Sequence, residues 1–374
     1  MKRRTLIAAV CAVVAAAAVA AVLGLSSSRA QAAPKLTNIT LQLKWVPQAQ
    51  FAGYYVAQAL GYYKTAGLNV TLKPGGPDIT PEQVVLSGGA QFGLDWLPNL
   101  FATREKGGNI VSIAQVFARS GMTELTWKSS GINTIAKMRG KKVAVWCCGN
   151  QPELFAALQK NGINPHNPKD VTIVNQPFDM NLFLQHKVDA AAAMTYNELA
   201  QVLENKNPKT GKLYQLSDLN VFKMSSPQVG TGMLEDNIFT TQKYLSDPAN
   251  KQTIVAFLKA SFQGWIYCRS HVEQCTEIVL KAGTALGHSH QLWQMNEINK
   301  LIWPNPWGIG HVSPKQVANT ALIAKTYGVI KKMPKNATTY QYTDEALNQL
   351  KAAHVNIYGS GFKPIHVTLL PGGK

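Results

Sequence analysis

One stretch narrows the folds open to this chain more than any other: residues 39–72, ITLQLKWVPQAQFAGYYVAQALGYYKTAGLNVTL. Ile39, Leu41 and Leu43 alternate with Thr40, Gln42 and Lys44, the period of a strand with one buried face. Trp45-Val46-Pro47 ends that strand, because proline has no N–H for the next rung of a ladder. Phe51, Tyr54, Tyr55, Ala59 and Tyr62 then recur at helical spacing. Gly67 supplies a C′ residue, and Leu68, Val70 and Leu72 resume the period of two. This is a βαβ unit. The loop after its first strand falls at the carboxyl edge of a sheet, where open α/β folds bind small molecules. Here the loop carries an indole and two amides, Trp45, Gln48 and Gln50, in place of a glycine cradle for phosphate.

The N-terminus sets the compartment. Residues 2–4 are basic, residues 6–25 carry no charge, and Ala30-Gln31-Ala32 fits the small-x-small cleavage rule, so residues 1–32 read as a signal peptide. A retained membrane anchor is the other reading, since about 20 apolar residues can span a bilayer. Either way the remainder is expected in the periplasm or another extracytoplasmic space. Loss of 1–32 removes Lys2, Arg3, Arg4 and Arg29 and no acid, which lowers the net charge to +13, four below the +17 of the full sequence. The remaining basic residues are scattered and no basic run interleaves with aromatics, so no nucleic-acid partner is expected. Solubility, or adhesion to an anionic envelope, accounts for the charge. Four cysteines remain, the adjacent Cys147 and Cys148, and Cys268 and Cys275, in a compartment that permits disulfides. Within one continuous helix Cys268 and Cys275 would stand roughly 10 Å apart, too far to bridge. Across a corner at 269–271, between helices at 253–267 and 272–281, they could meet.

Strand and helix patterns continue to alternate. Helices are expected around 84–86 and 98–106, strands at 91–96 and 110–117, and an extended connector at 122–127. A second set follows, with helices at 134–138, 151–161, 179–187 and 197–205 and strands at 141–146, 171–176 and 189–194. Residues 230–239 are extended again, and from 241 the pattern is mostly helical. This predicts an α/β protein of two lobes, each a mixed sheet flanked by helices. Lobe I comprises 33–125 and 233–374, and lobe II, 126–232, is inserted into it. Two hinge crossings join them around a cleft.

Five segments in order, LKWVPQAQFAGYYVAQALGYYKTAGLNVTL (43–72), SGGAQFGLDW (87–96), MRGKKVAVWCCGN (138–150), VDAAAAMTYNE (188–198) and GTGMLEDNIFTT (230–241), give the chain a family likeness. It resembles periplasmic solute-binding proteins of ABC importers, in the large family that includes alkanesulfonate- and taurine-binding proteins and thiamine-pyrimidine synthase-like proteins. The resemblance implies a type II periplasmic-binding-protein fold. It also implies a monomer without cofactor that delivers a small molecule to permease subunits at the membrane. The fungal-type synthases of that family use a lysine that carries pyridoxal phosphate, a histidine and an iron-binding cysteine-rich motif. On this sequence the lysine position falls at Asp95, the histidine position at Asn99, and the cysteine-rich motif within 229–238, which contains no cysteine. A Schiff base cannot form on an aspartate, so the resemblance implies a binder rather than an enzyme.

Candidate ligand contacts lie at the carboxyl ends of the strands. Trp45 offers an aromatic wall, with Gln48 and Gln50 as donors and acceptors, although Lys44 stands where the thiamine-pyrimidine branch is commonly acidic. Asp95-Trp96 offers a carboxylate for an amino group, or alternatively a helix N-cap before Pro98. The loop Trp146-Cys147-Cys148-Gly149-Asn150 opens onto a helix start, where backbone N–H groups suit polar atoms. Its vicinal cysteines read as reduced thiols, as a vicinal disulfide or, least well, as a metal site. Tyr196 could stack on a ring and Glu198 bind its amine, unless Glu198 is only a first-turn carboxylate. Glu235 and Asp236 lie on the return crossing. Residues 303–307, WPNPW, form either a cleft rim or a cap on the helical region. No clustered histidines, P-loop or GxSxG are present. The tryptophans and tyrosine favour a planar heterocycle such as a thiamine-pyrimidine precursor or a flavin. A sulfonate, taurine or nitrate would call for an arginine, and the nearest in sequence is Arg119.

Overall fold

The structure is a computed structural model that describes residues 35–147 and 149–374. Residues 1–32, expected as a signal peptide, and Cys148 lie outside the described residues. In chain order the principal elements are β1 (Thr37–Gln42), α1 (Ala52–Ala59), β2 (Leu68–Lys73), α2 (Pro81–Leu86), β3 (Phe92–Asp95), α3 (Leu97–Glu105) and β4 (Ile110–Gln115). There follow β5 (Met122–Trp127), β6 (Lys142–Val145), α4 (Pro152–Lys160), β7 (Thr172–Asn175), β8 (Ala190–Met194), α5 (Glu198–Leu203), β9 (Leu219–Lys223) and β10 (Asn237–Thr241). Helices α6 (Lys251–Ser270), α7 (Val272–Lys281), α8 (His288–Ile302), α9 (Pro314–Thr326) and α10 (Gln341–Ala352) complete the chain.

The opening unit folds as its pattern dictates. β1 and β2 are parallel, with Ile39 opposite Val70 and Leu41 opposite Leu72. The helix between them is shorter than its periodicity suggests. Gly61 takes φ +75° and breaks it, so Ala59, expected on the buried face, is exposed. Gly67, at φ +77°, ends the short helix Tyr62–Thr65 before β2. Gly53 has a separate purpose. α1 crosses α6 so closely that a Cβ on Gly264 would lie 1.9 Å from the Gly53 carbonyl oxygen, and one on Gly53 would lie 2.3 Å from the Trp265 ring. Only a glycine pair allows that crossing.

Two five-stranded mixed sheets form, in the orders β2-β1-β3-β10-β4 and β7-β6-β8-β5-β9, and helices flank both. β10 runs antiparallel between β3 and β4, and β5 runs antiparallel to both β8 and β9. Residues 122–127, expected as a connector, are therefore a strand of the second sheet with every residue buried. β9 was not anticipated, because its burial is only partial and its alternation weak. The chain passes from one sheet to the other after β4 and returns after β9. The expected helix over 179–187 shrinks to Asn181–Leu184, and the one at 134–138 is a 3-10 turn. Cys268 and Cys275 form a disulfide across the corner at His271, where α6 ends and α7 begins, with Cα atoms 5.5 Å apart.

Glu124 stands out in the second sheet. It is fully buried in β5, and neither carboxyl oxygen has a hydrogen-bond partner among the described residues. Burial alone pushes it well above the usual carboxylate range. A carboxyl whose folded pKa is raised adds stability below its unfolded pKa and loses that stability as pH rises. Glu124→Met should therefore stabilise the protein by about 1–3 kcal/mol, since an apolar isostere removes two unsatisfied acceptors. Melting curves of the variant against the parent should separate further at pH 8 than at pH 5.

Candidate functional site

Aromatic rings from both sheets meet over a small chamber of about 50 Å³. Trp45 follows β1 and Trp96 follows β3. From the second sheet come Trp146 after β6, Phe178 after β7 and Tyr196 after β8. Trp45 and Phe178 touch across the gap, with ring centroids 4.4 Å apart at 57°. The Nε1–H groups of Trp96 and Trp146 are buried and have no partner among the described residues. Buried indole N–H groups are normally satisfied, so two at one chamber are donors suited to a ligand acceptor.

The polar walls are held in place by bonds behind them. The Gln48 amide donates to Gln50 at 2.7 Å, and Gln50 donates to Asp236 at 2.9 Å. The Ala49 N–H is taken by Gln291 and Gln294 of α8, at 2.7 and 2.8 Å. On the opposite wall Glu198 accepts from the Met194 N–H at 2.9 Å and from the Asn197 amide at 2.8 Å. Burial lifts Glu198 to about 7 against the pull of those donors, so near neutrality it can present either form to a ligand. Asn197 is in turn 2.9 Å from His290 of α8, whose other ring nitrogen lies 2.7 Å from Glu204.

Lys44, Trp45, Asn150 and Phe178 also line an outer cleft of about 430 Å³. The size is that of an ordinary small-molecule site. Asp95 lies in it, ion-paired with Lys44, whose ammonium also sits 4.9 Å over the Trp96 ring. Burial pulls Lys44 down, but Asp95, with Glu82 and Asp236 beyond, outweighs it and leaves the group above its ordinary value. Asp95 also accepts from the Trp96 N–H at 2.6 Å and from the Asn99 amide at 3.1 Å. It is not the cap of α3, whose N-cap is Trp96 and has no side-chain bond. Gly149, at φ +98°, leans on Asn99 from the second sheet: a Cβ there would come within 2.8 Å of its amide oxygen. Cys147 lines the cleft and is disulfide-bonded, so it does not fit the reading as reduced thiols.

The structure thus brings Trp45, Gln48, Gln50, Asp95, Trp96, Trp146, Cys147, Gly149, Asn150, Tyr196 and Glu198 to the walls of the chamber or the cleft. Glu235 and Asp236 are not among the lining residues. Asp236 supports Gln50 from behind, and Glu235 is buried at the crossing, bonded to the N–H groups of Gly121 and Met122. Arg119 is directed elsewhere, onto the carbonyls of Lys300, Leu301 and Pro304. Trp303 is buried in the helical core. Sequence reasoning missed Phe178, Asn197 and Glu82. Phe178 had a usable signal, a large apolar residue just past a strand end. Glu82 had none, because a polar Pro-Glu-Gln helix start looks solvated. Among the described residues one group with metal-ligand geometry occurs, Glu273, Glu277 and His288, and it lies on the surface of α7 and α8 rather than in the cleft.

The model of the NMT1/THI5-like family matches residues 48–275, more than half of the chain and most of the cleft walls. The chain belongs to the NMT1/THI5-like family. Within that group it is 28% identical over 160 residues to the Saccharomyces cerevisiae 4-amino-5-hydroxymethyl-2-methylpyrimidine phosphate synthase THI11, covering 41% of this chain and 45% of that protein. It is 26% identical over 183 residues to the riboflavin-binding protein RibY of Chloroflexus aurantiacus, covering 46% of this chain and 49% of that one. The match thus spans about half the length of these curated relatives. Among solved structures, the periplasmic sulfonate-binding protein SsuA from Methylobacillus flagellatus superposes with a TM-score of 0.59. That superposition covers 90% of this chain and 99% of SsuA at 14% identity, which establishes the periplasmic-binding-protein fold. No helix among the described residues is long and apolar enough to cross a membrane.

Proposed function

We propose that this family member is an extracytoplasmic solute-binding protein of an ABC importer. In this reading it captures a small planar heterocycle, a thiamine-pyrimidine precursor or a related ring such as a flavin, by closure of its two sheets. The observation that carries the reading is the chamber itself: five aromatic rings from two sheets, two partnerless indole N–H groups, and a carboxyl that titrates near neutrality. A flat ring with acceptor nitrogens or carbonyls satisfies the indoles and stacks on the rings. Closure would transmit a signal to a permease because the ligand contacts both sheets only when they are together. A sulfonate or nitrate is a poorer match, since the lysine at the chamber is already paired with Asp95 and no arginine lines either space. Pyridoxal chemistry is also poorly supported, because Lys44 is kept as an ammonium and is no nucleophile.

The test is a thermal-shift series on the chain lacking residues 1–32. The compounds are 4-amino-5-hydroxymethyl-2-methylpyrimidine, thiamine, riboflavin, taurine, an alkanesulfonate and nitrate. A heterocycle at 100 times its Kd should stabilise the fold by about 2.7 kcal/mol. Stabilisation by a sulfonate, taurine or nitrate alone would overturn the proposal.

A further inference from the structure

Resting on this reading, the outer cleft also indicates which chemical form of the ring is admitted. Three ionisable side chains line it together: the half-buried Lys44 and the buried Asp95 and Glu82. Lys44 is spent on Asp95. Glu82, in the first turn of α2, is 1% exposed, and its Oε1 is buried with no hydrogen-bond partner among the described residues. Asp95 lines the same cleft. Burial and the repulsion from Asp95 push Glu82 well above the usual carboxylate range. Oε1 is thus an acceptor without a partner among the described residues, on a residue that lines the cleft.

We propose that Glu82, with Asp95 beside it, selects ligands that bear a free hydroxyl or amine on the ring substituent and refuses the phosphate esters of the same rings. A hydroxyl or amine donates to Glu82 Oε1 and satisfies it. A phosphate offers only lone pairs and negative charge there. It would lie against Asp95 with no unpaired cation within the buried part of the cleft, and like charge without compensation costs several kcal/mol. The other lysine of the cleft, Lys106, is exposed, where salt screens it.

Calorimetric titration of the protein with two pairs tests this: the hydroxymethylpyrimidine against its phosphate, and riboflavin against its 5′-phosphate. The unphosphorylated member of the pair that binds should be favoured by about 100-fold. Glu82→Gln should cut that ratio to about 10-fold or less, and Glu82→Lys should favour the phosphate. Equal or tighter binding of the phosphate by the parent protein overturns the selection while leaving the heterocycle reading in place. A parent preference that Glu82→Gln leaves unchanged overturns the role of Glu82. If no member of either pair binds, the heterocycle reading falls and the selection with it.

Discussion

Replacing Trp146 with alanine should weaken binding of the heterocycle by roughly thirtyfold, about 2 kcal/mol, and Trp45→Ala should do nearly as much. Both rings lie on the chamber, but they fail in different ways when truncated. Trp45 is half-buried and packs at a tilt against Phe178, which is itself 44% exposed. Its loss removes a half-buried wall and leaves little cavity, so the cost should appear in binding with little change in melting temperature. Trp146 is 5% exposed and belongs to the core, so its truncation also leaves a cavity and destabilises the fold. Trp146→Phe separates the two effects. The phenyl ring keeps the packing and the stack but lacks the Nε1–H that has no protein partner. Its melting temperature should stay near the parent's while binding falls about fivefold to tenfold, the worth of one hydrogen bond. Unchanged binding in both Trp45→Ala and Trp146→Ala would remove the aromatic clamp from the mechanism.

Much of this geometry was legible because strand ends carry it. The period of two through Leu41, the proline at 47 and the glycine at 67 located β1, its loop and β2, and the same logic placed Asp95 at a strand end of the first sheet and Trp146 and Tyr196 just past strand ends of the second. Tertiary pairing was harder to read. Met122–Trp127 reads as an extended connector, yet β8 and β9 flank it on both sides and its central Glu124 is buried. Glu235 and Asp236 read as ligand contacts that reach the cleft from the return crossing, and neither lines it. Their burial follows from donors more than a hundred residues away, Gly121 and Met122 for one and Gln50 for the other. Local pattern carries no trace of such partners. Glu82 belongs with them, because its meaning depends on Asp95 across the cleft.

Glu235→Ala should be among the most damaging substitutions in the protein, at about 2–4 kcal/mol, because Glu235 ties the two crossings to each other. Its oxygens accept from the N–H of Gly121 at 3.0 Å, the N–H of Met122 at 3.1 Å and the Ser120 hydroxyl at 2.9 Å. That hydroxyl is also 2.7 Å from Glu153. Ser120 has one proton for two carboxyls, so one of the carboxyls must itself be protonated and donate. Burial, with Asp236 adding and the Gly121, Ser120 and Met122 donors opposing, lifts Glu235 to about 8, and Glu153 is likewise pushed well above its usual range. The sign of the pH effect follows. Groups raised in the fold bind protons that the unfolded chain has lost, so their contribution is complete below about 4.5 and disappears as pH rises toward 8. Asp236, lifted to about 6 chiefly by burial, and Glu198 at about 7 act in the same direction. Parent melting temperatures should therefore fall steadily from pH 5 to pH 8.5. Glu235→Gln, which cannot ionise, should flatten that fall while losing part of the stability at pH 5, since its amide N–H₂ meets N–H donors that need acceptors. Glu235→Ala should melt several degrees lower at every pH. It should also bind ligand more weakly than Glu235→Gln, because the crossings that set the approach of Trp45 to Phe178 are no longer joined. A Glu235→Ala protein with parental stability and affinity would show that the carboxyl does not hold the crossings together.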